Sequence, residues 1–156
     1  VLKDINIKIL LVCEEVQEKE AIMRLSRVGF DNCLGYLKGG FKTWQNSSNP
    51  IDTIDSKSAK EFEKSISDNV NILDVRQVRE RNNGYLKQSE HIPLALIDSD
   101  YKSLNKSLKY HIHCAGGYRS MIACSILKKN GFDNTIDIEG GFGSISNNTS
   151  LEILQN

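Results

Sequence analysis

Two short motifs occur twice in this chain, and that repetition limits what it can fold into. Gly29-Phe30-Asp31-Asn32 returns as Gly131-Phe132-Asp133-Asn134, and Gly39-Gly40-Phe41 returns as Gly140-Gly141-Phe142. The stretches ahead of these markers match too. Ile9-Leu10-Leu11-Val12-Cys13 parallels Tyr110-His111-Ile112-His113-Cys114, and each runs into a helical pattern. The chain thus carries one unit twice. About sixty residues with strand and helix signals of their own precede the second copy, whereas the first begins almost at residue 1. The first copy is therefore only the back half of a unit. Asn46-Ser47-Ser48-Asn49-Pro50 is polar and turn-forming, as a linker would be. The expected organisation is a half unit over 1–45, a linker over 46–50 and a complete unit over 51–150.

In the complete copy, Ser56 is placed to cap a helix through Ile66, with Ala59, Phe62, Glu63 and Ile66 spaced as a largely apolar stripe. Asn71 to Val75 reads as a short buried strand with an acid near its end. His91 to Ile97, Tyr110 to His113 and Thr135 to Ile138 follow as further strand candidates. Between the last two, Met121, Ile122, Ile126 and Leu127 mark one face of a helix over Arg119 to Asn130, which Gly131 stops in a left-handed conformation. Alternating strands and helices predict an α/β fold with a mostly parallel central sheet covered by helices on both faces. Ligands in such sheets sit where strand C-termini meet helix N-termini, and Cys114 falls at such a place.

Hydrophobic residues at 39% and charged residues at 26% describe a globular chain able to bury a core. The 20 basic side chains balance 20 acidic ones, so no overall field draws in nucleic acid or an anionic membrane. No apolar run approaches the roughly 20 residues that span a bilayer, and no secretory pattern opens the sequence. A cytoplasmic location is expected. The chain starts at Val1 rather than at a methionine, which predicts sequence upstream. Its four cysteines, Cys13, Cys33, Cys114 and Cys124, form no C-x-x-C pair. His111, His113 and Cys114 lie close enough in sequence to raise zinc. On a strand, however, both histidines share one face while the cysteine begins the next loop, and a fourth ligand is missing. No metal is expected.

A thiol is a poor nucleophile until ionised, and a free cysteine near pKa 8.5 is only a few per cent thiolate at neutral pH. Here a strand leads into Cys114, then Ala115 and two glycines that allow a tight backbone, then Arg119 and Ser120 near a helix start. Amides of such a loop can point inward as an anion nest, reinforced by the positive end of the helix, with Arg119 as a cation at the rim. The plainer reading is a buried cysteine beside a glycine turn. The arginine and serine in this order favour a site that stabilises a thiolate, a persulfide anion or a bound sulfur oxyanion.

Asp74-Val75-Arg76, Gly84, His91-Ile92-Pro93-Leu94, His113-Cys114-Ala115-Gly116-Gly117-Tyr118-Arg119-Ser120 and Glu139-Gly140-Gly141-Phe142 follow one another at spacings that resemble rhodanese-like domains, over about residues 51 to 146. Residues 7 to 45 resemble the second half of another such domain. The chain is thus similar to the C-terminal part of tandem rhodanese proteins, in particular those fused behind a metallo-beta-lactamase fold of persulfide dioxygenase or glyoxalase II type. The resemblance implies a ping-pong sulfurtransferase. Cys114 would take sulfane sulfur from thiosulfate or a thiol persulfide and pass it to cyanide or another thiol. The amides from Ala115 through Gly116, Gly117, Tyr118 and Arg119 to Ser120 would cradle the persulfide, and Arg119 would hold the anionic donor. Asp74 and Arg76 match family positions beneath and beside the loop, where a plain ion pair is an equally good reading. His113 precedes the nucleophile on a strand and so points away from it, packing rather than acting as a base. The partners implied are a small-molecule sulfur donor, a thiol acceptor and an upstream metal-binding domain, with no cofactor in this part.

The pattern is broken at Gly84-Tyr85-Leu86-Lys87-Gln88-Ser89, where the family has Gly-His-Ile-x-Gly-Ala. In the first copy Cys13 is followed by Glu14-Glu15-Val16-Gln17, without the glycine pair or arginine and in a loop that reads as one residue shorter. Its acids would repel an anionic donor, so Cys13 is read as non-catalytic, and Cys33 and Cys124 as core or helix-face residues. Two rival functions remain. A phosphatase or arsenate reductase of the related Cys-x5-Arg type uses seven residues from Cys to Arg, whereas Cys114 to Arg119 spans six. A docking module would keep the fold without the activity. The half unit must bury its apolar face against the complete unit or another chain, which allows a homo-oligomer.

Overall fold

The computed structural model describes residues 2, 4–67 and 69–155. It divides into two compact units, Val1–Asp52 and Thr53–Asn156. In the first, strand β1 (Ile9–Leu11), helix α1 (Glu18–Ser26), strand β2 (Cys33–Tyr36) and helix α2 (Gly40–Gln45) follow in order, and β1 pairs with β2 in parallel. Leu10, Val12, Leu34 and Tyr36 in and beside this pair are all exposed, Leu10 at 75%. Gly40 is buried, but no larger side chain among the described residues of this unit is.

The second unit begins with β3 (Asp55–Lys57), α3 (Ala59–Lys64), β4 (Asn71–Asp74), α4 (Val78–Arg81), β5 (Tyr85–Leu86) and β6 (Ser89–His91). It continues through α5 (Leu94–Asp100), β7 (Tyr110–His113), α6 (Tyr118–Lys129), β8 (Thr135–Ile138), α7 (Gly141–Asn148) and β9 (Ile153–Leu154). Five strands form one parallel sheet in the order β3-β8-β7-β4-β6. Tyr110 to His113, fully buried, hold its centre, as their near-continuous burial demands of a strand with both faces covered. On one face Leu73, Ile112, Ala123 and Leu127 pack with α5 and α6. On the other, Ala59 and Phe62 of α3 and Ile145 of α7 cover Ile72, Ile136 and Ile138.

Two expectations are corrected. Ser56 is a strand residue, because Asp55–Lys57 pairs with β8, and the cap is Ser58, whose hydroxyl accepts the Glu61 amide in a reciprocal capping box. The helix it starts ends at Lys64, while Ile66 packs on the core beyond it. His91 to Ile97 is not one strand. Pro93 has no N–H to give a ladder, and its fixed φ of −51° leads directly into α5. The altered Gly84 to Ser89 stretch is held by contacts of its own. Tyr85 and Leu86 pair antiparallel with β9, Arg81 lies 4.3 Å over the Tyr85 ring, and the Ser89 hydroxyl donates to the Leu86 carbonyl at 2.7 Å.

Candidate active site

Cys114 directly follows β7 and α6 begins four residues later, so the loop lies at the C-terminal edge of a parallel sheet. Gly117, the residue before the helix, has φ +98°, a left-handed conformation that glycine adopts without strain. It turns its N–H onto Cys114 Sγ at 3.1 Å. Ser120, fully buried in the first turn of α6, donates its hydroxyl toward the same sulfur at 3.6 Å, and to the Gly117 carbonyl at 2.9 Å. Cys114 itself is 1% exposed. Burial pushes the thiol up, but the Ser120 hydroxyl and the amides of Ser120, Gly116 and Gly117 outweigh it, and the thiol sits below its ordinary value.

The predicted loop residues divide by what they touch. Gly116, Gly117 and Ser120 act on the sulfur. Ala115 gives its carbonyl to the Gly143 amide at 3.0 Å, and the Cys114 carbonyl takes the Phe142 amide at 2.7 Å. These bonds tie the loop to the start of α7. Gly141 must be glycine for that approach: its φ is +55°, and a Cβ there would stand 2.4 Å from the Cys114 carbonyl oxygen. Tyr118 is 80% exposed. Arg119 is not the free cation expected at the rim. Its two terminal nitrogens donate to Glu80 at 2.6 and 2.7 Å, and this pairing holds the Glu80 carboxyl down to about 2. Glu80, 39 residues away in sequence, was not among the expected site residues. The capping pattern of α4, in which Glu80 accepts the Gln77 amide at 2.9 Å, was its only local sign.

Asp74 lies on β4 directly opposite His113 and is buried. Its carboxylate takes the Arg76 amide and side chain, at 2.7 Å for the closest nitrogen, and Arg81 at 3.2 Å. Arg76 also donates to the Gly84 carbonyl and lies 3.8 Å over the Phe142 ring. This cluster holds the sheet edge and α7 in place. His113 stacks on Phe142 at 5.9 Å and its Nδ1 lies 3.9 Å from Asp74, yet burial drives it down to about 4, so it is neutral. His111 packs against Phe62 at 5.3 Å. Among the described residues no three His, Cys, Asp or Glu side chains converge as a metal would require. Nor is any described helix long and apolar enough to cross a membrane.

Residues 58–148 match the rhodanese-like domain family. The chain is 31% identical over 106 residues to a Bacillus subtilis protein named as a sulfur carrier, YrkF, covering 67% of this chain and 55% of that one. It is 36% identical over 70 residues to a Bacillus subtilis protein named as a sulfurtransferase, YtwF, covering 45% of this chain and 67% of that one. The chain thus spans little more than half the length of the first relative. A crystal structure of a rhodanese-related protein from Thermoplasma volcanium superposes with a TM-score of 0.60 at 29% identity, covering 65% of this chain and 99% of that one. On its sheet order, its cysteine loop and these matches, the chain belongs to the rhodanese-like domain family.

Proposed function

We propose that this chain is a sulfurtransferase in which Cys114 carries sulfane sulfur as a persulfide. The observation that carries the reading is the polar surround of one buried sulfur: the Gly117 amide at 3.1 Å and the Ser120 hydroxyl at 3.6 Å. A thiolate so held attacks the outer sulfur of thiosulfate or a thiol persulfide, and sulfite or the thiol leaves with the bonding electrons. The resulting Cys114 persulfide is an anion in the same donor ring, until an acceptor thiolate takes its outer sulfur. The six-residue reach from Cys114 to Arg119 suits one sulfur atom better than a tetrahedral phosphate. The names of the Bacillus subtilis relatives, a sulfur carrier and a sulfurtransferase, support the same chemistry.

We further propose that 1–45 is the back half of a degenerate copy. Its strand-helix-strand-helix order parallels β7 to α7, and Gly39 and Gly40, at φ +76° and +57°, repeat Gly140 and Gly141 at +70° and +55°.

Treatment with thiosulfate or a persulfide, followed by peptide mass spectrometry, is expected to add one sulfur atom at Cys114. Cys114→Ser is expected to abolish transfer, by about a thousandfold or more, while Cys13→Ser leaves it unchanged. Full turnover in Cys114→Ser would remove the assignment.

A further inference from the structure

Arg119 is the cation that would meet an anionic donor at the mouth of the loop, but it is already engaged. Glu80 binds both of its terminal nitrogens, and the same carboxylate accepts the Gln77 amide at 2.9 Å, so it is pinned from its own helix as well. The pair is on the solvent side, with side-chain exposures of 27% for Arg119 and 29% for Glu80. Arg76 and Arg81 are bonded to Asp74. A second acid, exposed Glu139, precedes Gly140, whose amide nitrogen lies 3.3 Å from where a Cβ on Gly117 would stand. The cation nearest the loop is thus balanced by a carboxylate held 2.6 Å away.

That balance discriminates between donors. Thiosulfate brings two negative charges toward a thiolate, and the cation it meets there, Arg119, already has its charge balanced by the Glu80 carboxylate. A persulfide of low net charge depends less on that cation, because its reacting sulfur has only to enter the ring of amides. We propose that Glu80 is the specificity-determining residue of the Cys114 site, and that it selects organic persulfides of low net charge over thiosulfate. The inference rests on sulfur transfer at Cys114 and names its donor. In the step itself, the Cys114 thiolate forms a bond to the outer sulfur of R–S–SH while the S–S bond of the donor breaks. The electron pair stays on the inner sulfur, which takes the proton of the attacked sulfur and leaves as R–SH, and Cys114 retains a persulfide anion. One negative charge enters and one remains, and no outside oxidant or reductant is consumed.

The test compares thiosulfate with cysteine persulfide in the intact chain and in Glu80→Gln. The intact chain is expected to show kcat/KM at least about tenfold higher for cysteine persulfide. Glu80→Gln is expected to raise kcat/KM for thiosulfate about tenfold, through KM, while changing the persulfide value by less than about threefold. Binding gives a readout independent of turnover: calorimetry should show thiosulfate held several-fold more tightly by Cys114→Ser/Glu80→Gln than by Cys114→Ser. An equal loss of kcat for both donors in Glu80→Gln, with no tighter thiosulfate binding, would make Glu80 a mere brace for Arg119 and overturn the proposal. Failure of both donors to place sulfur on Cys114 in the intact chain would instead overturn the sulfur-transfer reading, and this one with it.

Discussion

The two units each place a cysteine after a parallel strand and before a helix, yet only one builds a donor ring around it. Three residues beyond each cysteine the backbone turns left-handed: Gly117 at φ +98° in one, Val16 at φ +66° in the other. A valine in that conformation is strained by about 1–2 kcal/mol, which glycine avoids. Cys114 is drawn below its ordinary thiol value by amides and a hydroxyl. Cys13 is pushed above it, by burial first and then by the charges of Glu18 and Glu14. The surrounding elements differ in the same sense. His111, His113, Ile136 and Ile138 are covered by α3 and α7, whereas Leu10, Val12, Leu34 and Tyr36 of the first unit are exposed. A strand and a left-handed turn around a cysteine are thus not enough to make a thiolate site. The glycines, the serine and the packed layer beneath them are also required.

The glycine after each turn offers the largest test of that contrast. A Cβ on Gly141 would meet the Cys114 carbonyl at 2.4 Å, and one on Gly40 would meet the Cys13 carbonyl at 2.3 Å. Gly141→Ala is expected to cost on the order of 2–4 kcal/mol and to reduce sulfur transfer at least tenfold. Gly40→Ala, equally crowded, is expected to leave transfer unchanged. Comparable losses of activity in both variants, measured beside chemical denaturation, would mean that the first unit supports catalysis.

Acid provides the next test, because all three histidines lie in the second unit. His111 and His113 are each lowered to about 4, chiefly by burial, while in the unfolded chain they take up protons near 6.5. The unfolded state therefore binds more protons between those values, so stability is constant above about pH 6.5 and falls as pH drops toward 4. Asp74 and Glu80, both held below the ordinary carboxylate range, extend the loss at lower pH. Amide exchange followed from pH 7.5 to 4.5 is expected to lose protection by a few kcal/mol across residues 53–155. Protection independent of pH over that range would contradict the burial of neutral imidazoles. The smallest expected effect is that of Val16→Gly, which relieves the left-handed valine and is expected to stabilise the first unit by about 1 kcal/mol, read as slower exchange around Cys13.

Much of this contrast was legible in the residues. Tyr110 to His113, Thr135 to Ile138 and the Gly131 stop are marked by local pattern, and the cysteine loop by its own order of residues. What local pattern missed depends on partners distant in sequence. Ser56 joins a strand only because β8 lies beside it, and Glu80 meets Arg119 only after the sheet brings α4 to the loop. The loop after Cys13 is also not the shorter one that its spacing suggests. Four residues separate Cys13 from α1 and three separate Cys114 from α6, while α1 has 9 residues against 12 in α6, so the helix is shorter and the loop is not. Spacing alone gives a total and leaves open where a residue was lost.

Site-resolved alkylation across pH tests the central contrast most directly, with iodoacetamide adducts on each cysteine counted by mass spectrometry. Cys114 is expected to reach half its maximal rate below the ordinary thiol value and Cys13 above it, and Ser120→Ala is expected to move the Cys114 profile upward. Coincident profiles for the two cysteines, or a Cys114 profile unmoved by Ser120→Ala, would contradict a sulfur anion held by its loop.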